Sequence, residues 1–296
     1  MDRQVVRRQA RDAGQPLRIS LITPSYNQGR FLEATIGSVV CQGYEGLEYV
    51  VVDGGSTDDS LDIITQNADH LAYWVSEPDD GYADALNKGF AETSGSIMGW
   101  LNSSDLHLPW TLRTVAEVFR DVPEAQWIMG VPAQWSESGN GPRAVAPSWW
   151  NLYDLLAGNY TSIQQESVFW RRSLWDSAGG SLSRTLKYAA DFDLWLRFMR
   201  LAPLYHLGTV LAGFRVHDER MGGQENPGYA EETDRTWSVF AAGFRPRMRM
   251  RAKLVDVLTL RGVHPMRQML GRANVVAGYR HPRITYDFAS GKWVAR

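Results

Sequence analysis

One cysteine, Cys41, in 296 residues leaves no disulfide framework and no thiol cluster for zinc, and it fits a reducing cytoplasm. No run approaches the ~20 consecutive apolar residues needed to cross a bilayer. The first strand-like segment is not followed by Gly-x-Gly-x-x-Gly, which disfavours a dehydrogenase. The segment there, Thr23-Pro-Ser-Tyr-Asn, also lacks the Gly-rich, basic character of a nucleotidyltransferase triphosphate loop. Arg3, Arg7, Arg8 and Arg11 have no apolar core behind them, so residues 1–17 are expected to form a loosely packed arm rather than a signal peptide. Repeats and low-complexity tracts are missing too.

Net charge is almost absent, at −2. The average conceals an asymmetry: residues 245–296 hold twelve Lys/Arg and two acids, a balance of +10, which leaves −12 on residues 1–244. A basic segment on an acidic body points to an anionic partner such as a membrane surface, or to contact with the body itself. Its basic residues are not interleaved with a stacking platform, so no nucleic-acid partner is expected. With 44% hydrophobic residues the chain has enough apolar material for one large domain or two small ones.

What is present alternates. Ile19–Thr23, Tyr49–Val52, His70–Val75 and Ser96–Leu101 read as strands, and the second is a continuous apolar run as in a parallel strand covered on both faces. Helices are predicted at Arg30–Val40, after the capping run Ser56–Ser60, at Ala83–Thr93 and from Pro109 to about Arg120. The β-α-β-α order predicts an α/β fold with a doubly wound, mostly parallel sheet and ligands at the carboxyl ends of its strands.

Beyond Pro123 the rhythm loosens. Ser167–Trp170 and His206–Val216 look like strands, Asp191–Met199 like a helix, and residues 139–147 and 221–229 like loops. Trp149 and Trp150 offer a bulky patch that would stack on sugar rings or form a lid. The last fifty residues read as helical from the stripe Leu254, Val257, Leu258 and Leu260.

Four polar clusters each close an apolar run. They are Thr23-Pro24-Ser25-Tyr26-Asn27, Asp53-Gly54-Gly55-Ser56-Thr57-Asp58, Glu77 to Gly89, and Asn102-Ser103-Ser104-Asp105. The third packs carboxylates, an amide and a lysine around two glycines, a density that folding alone does not require. Asp84, Asn87 and Lys88 are spaced i, i+3, i+4 and so share one helix face. Such a face near a helix N-terminus suits sugar hydroxyls and phosphate charge, although an Asp84–Lys88 ion pair accounts for part of it equally well.

In their order and spacing these clusters resemble the family 2 glycosyltransferases over roughly residues 18–220. The resemblance implies the GT-A fold and an inverting transfer from a nucleotide-diphosphate sugar. It divides the chain into a nucleotide-sugar-binding half (18–122), an acceptor-side half (123–244) and a basic helical C-terminal extension (245–296). Thr23, Pro24, Tyr26 and Asn27 then match the loop against the nucleotide, while Asp53 and Gly54 match the contact to base or ribose. Asp80, Gly81, Asp84, Asn87 and Lys88 match the sugar-diphosphate wall, with Asn102 and Ser104 beside it.

In Ala190-Asp191-Phe-Asp193-Leu-Trp195 the resemblance makes Asp191 the base that deprotonates the acceptor, with Asp193 as the alternative. Gln165 and Glu166 match a segment lining the sugar. Arg215-Val-His217 matches a closing Arg-x-His whose histidine approaches metal or diphosphate.

One position departs from the family pattern. Ser104 stands where a carboxylate usually binds the Mg2+ or Mn2+ that bridges the diphosphate, and a neutral hydroxyl is a poor ligand for a hard dication. The expected metal ligands are therefore Asp105 and His217, with Lys and Arg residues the alternative support for the leaving group. The implied acceptor is a glycan or lipid-linked glycan in bacterial surface polysaccharide or glycolipid assembly. The implied location is the cytoplasm, with peripheral contact at the inner face of its membrane, and the basic segment serves equally as a homo-oligomer contact. A sugar-nucleotide binder without turnover is the rival class that Ser104 keeps open.

Overall fold

The computed structural model describes residues 16–138, 141, 143–144, 150–158, 163–217, 226–259 and 281–296, with side chains left aside at 255–259. Expectations for residues 1–15, for Trp149, for residues 221–225, for most of 139–147 and for a helix across 260–280 lie outside these residues.

The first half follows the predicted alternation: β1 (Ile19–Ser25), α1 (Gly29–Val40), β2 (Leu47–Asp53), α2 (Ser60–Gln66), β3 (Tyr73–Ser76), α3 (Tyr82–Ala91), β4 (Ile97–Trp100), β5 (Leu106–His107) and α4 (Thr111–Asp121). Successive residues of a strand face opposite ways, and the sequence fills both faces. Ile22, Val50 and Val52 pack with Leu86 and Phe90 of α3. Leu21, Tyr49 and Val51 pack instead with Leu32 and Ile36 of α1 and Val115 and Phe119 of α4. All seven residues of β1 are buried for that reason. His70, predicted to begin a strand, ends a short 3-10 turn at Ala68–His70.

The second half contains β6 (Trp127–Met129), β7 (Ala133–Trp135), β8 (Arg143–Ala144), α5 (Leu152–Ala157), β9 (Val168–Arg171), α6 (Arg172–Ser177), α7 (Ala190–Leu201), β10 (Tyr205–Leu207), β11 (Ala212–Arg215), α8 (Pro227–Ala242), α9 (Pro246–Thr259), β12 (Arg283–Asp287) and β13 (Lys292–Ala295). One nine-stranded sheet runs β13-β12-β10-β6-β9-β4-β1-β2-β3, and a smaller one runs β5-β11-β7-β8. Strands β4, β1, β2 and β3 are mutually parallel, as are β6, β10 and β12. β9 lies antiparallel between the two blocks and joins them.

Two readings are corrected. His206–Val216 is not one strand: the chain breaks after Leu207, and β11 joins the other sheet. The helical reading of the C-terminal segment holds for α9, but residues 283–295 form a hairpin that extends the main sheet. Ile284 is fully buried there, and Trp293 donates to Glu117 and Asp121 of α4. Tryptophan fills the centre: Trp100 stacks on Trp195 at 5.3 Å, with Trp127 and Trp170 packed around them. Trp150 joins this core, 5% exposed, and does not serve as a lid.

Candidate active site

The register of the parallel strands places the site. Ser25, Asp53 and Ser76 are direct neighbours at the carboxyl ends of β1, β2 and β3. Asp53, fully buried, accepts from Ser76 Oγ at 2.7 Å and from the N–H groups of Gly55 and Ser56 at 3.1 and 2.9 Å. These bonds fold the loop after β2 into an anchored turn.

That turn is fastened to the loop after β1. Asn27 sits at φ 52°, a region that asparagine tolerates better than most residues. Its Oδ1 accepts from Thr57 N–H at 2.9 Å, and its N–H donates to Ser56 Oγ. Tyr26 is left 62% exposed above this platform. Gly54 permits a close approach: a Cβ there would meet Asp79 Oδ2 at 2.9 Å and the Tyr26 ring at 3.3 Å. Three loops from three strands therefore touch at one glycine.

The next wall is α3. Gly81 precedes it at φ 102°, ψ −176°, a conformation essentially reserved for glycine. Its N–H donates to Asp79 Oδ1, while exposed Asp80 donates its own N–H to Asp84 Oδ2 at 3.3 Å. Asp84 is 5% exposed and holds two cations, Arg184 at 3.0 Å and Lys88 at 3.5 Å. Lys88 is gripped more closely by Glu77, at 2.8 Å, and that bond raises its pKa. The wall presents Lys88 and Arg184 already balanced by carboxylates.

Deeper lies a buried acidic pocket. Asp105 is fully buried; its Oδ1 accepts from Arg215 N–H at 3.0 Å and its Oδ2 from Gln165 Nε2 at 3.4 Å. Burial pushes its pKa up to about 7 against the lowering influence of Arg215. Glu166, 1% exposed, is raised well above the usual carboxylate range by burial first and by Asp105 second. Two carboxyls so placed cannot both ionise cheaply, so each holds its proton more tightly than an exposed carboxyl would. His107 shares this buried region, and burial drives it down to about 3, so it is neutral.

Asp191 stands in the first turn of α7. A helix N-terminus favours a carboxylate, yet burial wins and raises Asp191 to about 6. Its Oδ1 accepts from Phe192 N–H at 2.7 Å. Tyr82 ties the regions together: its phenol is raised by burial, then by the charge of Asp191, and to a lesser degree by Asp105 and Glu166. Tyr229 of α8 is raised by burial and by Asp191 as well.

Several expected contacts have other employment. Thr23 is buried and shares a hydrogen bond with Tyr49, and Pro24 is buried beside it. Asn87 donates to Leu182 C=O at 3.0 Å and accepts from Leu182 N–H at 2.8 Å, so its amide latches the 182–184 segment. Asp193 pairs with Arg197 one turn along α7. Asp53 is held by the N–H groups of its own loop and by Ser76. Tyr82, Arg184 and Tyr229 are the residues of this candidate site that the sequence reading does not single out. Tyr82 lay inside the polar cluster, whereas Arg184 had no local pattern to mark it.

The metal expectation meets a poor donor set. Asp105 has both oxygens engaged, Ser104 is neutral, and His217 packs on Phe31 at 4.7 Å between ring centroids. Among the described residues no group of three His, Cys, Asp or Glu side chains is placed to hold an ion. These residues do not fit a dication site.

The description "Glycosyl transferase family 2" matches residues 20–185, more than half of the chain. An "uncharacterized glycosyltransferase" of Rickettsia typhi is 26% identical over 234 residues, covering 75% of this chain and 71% of the relative. A counterpart in Mycobacterium tuberculosis is 43% identical over 88 residues, or 29% of this chain and 34% of its own length. The chain spans only 38% of a Rickettsia conorii relative that it matches at 25% identity. Among solved structures, S. aureus TarS 1-349 in complex with UDP-GlcNAc gives a TM-score of 0.63 at 16% identity over 80% of this chain and 70% of that one. The mannosyltransferase PcManGT of Pyrobaculum calidifontis, in complex with GDP-Man and Mn2+, gives 0.53 at 17% identity over 93% and 88%. At such identities these two likenesses establish the fold, GT-A, and nothing finer.

Proposed function

The chain belongs to glycosyl transferase family 2, and from that premise we propose that it moves a sugar from a nucleotide-diphosphate donor to an acceptor hydroxyl with inversion. The observation that carries this reading is Asp191, a carboxylate raised to about 6 at the head of a helix, beside Tyr82 and the α3 wall. A base works best with a pKa near the operating pH. Asp191 takes the acceptor proton, the freed oxygen bonds to the anomeric carbon, and the bond to the diphosphate breaks with its electron pair leaving on phosphate. A single displacement of this kind inverts the carbon.

The turn around Asp53 and Gly54 receives the nucleoside, with Tyr26 above it. Lys88 and Arg184 face the diphosphate, exchanging part of their hold on Glu77 and Asp84 for phosphate oxygen. Gln165 and the acidic pocket back the sugar. No step in this scheme passes through a metal ion, and Mn2+ is expected to change the rate only modestly. The nucleotide sugars named for TarS and PcManGT support a donor of that class. The acceptor we assign is a glycan or lipid-linked glycan of the cell envelope.

A thermal-shift screen of UDP-, GDP- and dTDP-sugars, followed by turnover with and without Mn2+, tests the proposal. Stabilisation by one donor followed by product formation is expected. Binding without transfer or hydrolysis would replace it with a sugar-nucleotide binding role.

A further inference from the structure

Helix α9 carries a feature that the donor site does not use. At 100° per residue, Met250 and Leu254 form one exposed ridge, 72% and 58% accessible. Arg247 and Arg251 flank the ridge on one side, Arg249 and Lys253 on the other, and all four are exposed. The opposite face holds Met248 and Ala252, and Ala252 is buried against the core. Soluble helices put their apolar stripe inward and their charges outward. Here the packed side is satisfied, and a second apolar ridge points to solvent between two rows of cations.

No acid occurs from Arg245 to Leu254, and among the described residues no ion pair neutralises Arg245, Arg247, Arg249, Arg251 or Lys253. A cavity of about 500 Å3 opens on one flank, where Arg245, Arg247 and Arg251 meet Tyr153, Phe244 and Met248.

We propose that α9 is a membrane-surface docking helix, which seats Met250 and Leu254 at the acyl boundary of an anionic lipid surface and takes a headgroup phosphate into the Arg245–Arg247–Arg251 cavity. Apolar side chains flanked by long cations are what an interfacial helix requires, because the cations reach headgroups while their stems lie along the apolar ridge. The requirement for negative lipid follows from the unneutralised charge. No helix among the described residues is long and apolar enough to cross a membrane, so the contact is superficial. The inference is independent of the donor assignment.

The test is sedimentation of the full chain with vesicles of phosphatidylcholine alone and of phosphatidylcholine mixed with phosphatidylglycerol. Binding is expected only to the anionic vesicles and should weaken as salt rises. Met250→Ser with Leu254→Ser, and separately Arg247→Gln with Arg251→Gln, are each expected to lower partitioning about tenfold or more. Circular dichroism and melting temperature should stay unchanged, because all four side chains are exposed. Equal binding to both vesicle types, or wild-type binding by the serine variant, overturns the proposal. So does a dimer in light scattering that the serine variant converts to a monomer, because the ridge would then be a contact between copies. Failure of every nucleotide sugar to bind would sink the donor reading while leaving this result intact.

Discussion

At the scale of single residues, the role proposed for Asp191 sets function against stability. Burial raises its folded pKa to about 6, above the ordinary value of 3.8. The folded state therefore binds this proton more tightly than the unfolded chain does. Its contribution to stability is fully present below about pH 4 and is lost as pH rises through about 6. The proposed transfer needs the ionised form, so on that proposal the rate should rise over the window in which the fold loses that contribution. Asp191→Asn is expected to cut kcat by about 10²–10⁴-fold with donor affinity retained. The same variant should raise stability at pH 7 by about 1 kcal/mol, a gain that vanishes near pH 3. Thermal melts at both pH values check the second part, and a melting temperature lowered at pH 7 would contradict it.

At the scale of elements, the loops beyond the strands act as a unit. Gly54→Ala would push a methyl into Asp79 and the Tyr26 ring. We expect the donor KM to rise about tenfold while the melting temperature moves little, since the collision is at the rim. Asn87→Ala should release the 182–184 segment and with it the grip of Arg184 on Asp84. A cost of about 1–3 kcal/mol follows from two lost hydrogen bonds to buried backbone, and donor affinity should fall alongside. Titration with a non-hydrolysable nucleotide sugar, beside chemical denaturation, separates the two effects.

Elements were also where the sequence spoke most clearly and where it misled. β1, β2 and β4 are legible because both of their faces are buried, which yields unbroken apolar runs such as Tyr49–Val52, whereas β3 lies half-buried at the sheet edge. Asp105, Gln165 and Arg215 are legible through the family resemblance. Their mutual bonding is not, because it joins positions sixty or more residues apart. The spacing of Asn87 on α3 suits a ligand face, and its bonds to Leu182 make it a latch as well. The C-terminal hairpin was missed for a different reason. Ile284, Tyr286 and Trp293 are thinly spread among charged neighbours, and the turn signal of Asp287 to Gly291 was outweighed by the helical stripe before it.

At the scale of the whole molecule, the hairpin is part of the main sheet rather than an appendage. β12 pairs with β10, and Ile284 enters the core beside Leu207 and Phe119. Ile284→Ala is expected to cost about 2–4 kcal/mol. Deletion of residues 281–296 should expose the edge of β10 and promote association through unpaired strand. Urea denaturation of the point variant and light scattering of the truncated chain provide the measurements. An unchanged urea midpoint for Ile284→Ala would place the hairpin outside the cooperative unit.

The antiparallel strand β9 has one more consequence. By hydrogen bonding to β4 on one side and β6 on the other, it makes the two parallel blocks a single plate rather than two jaws. A plate does not close on its guest. On the proposed transfer, admission of donor and release of product then fall to the loops standing on its rim.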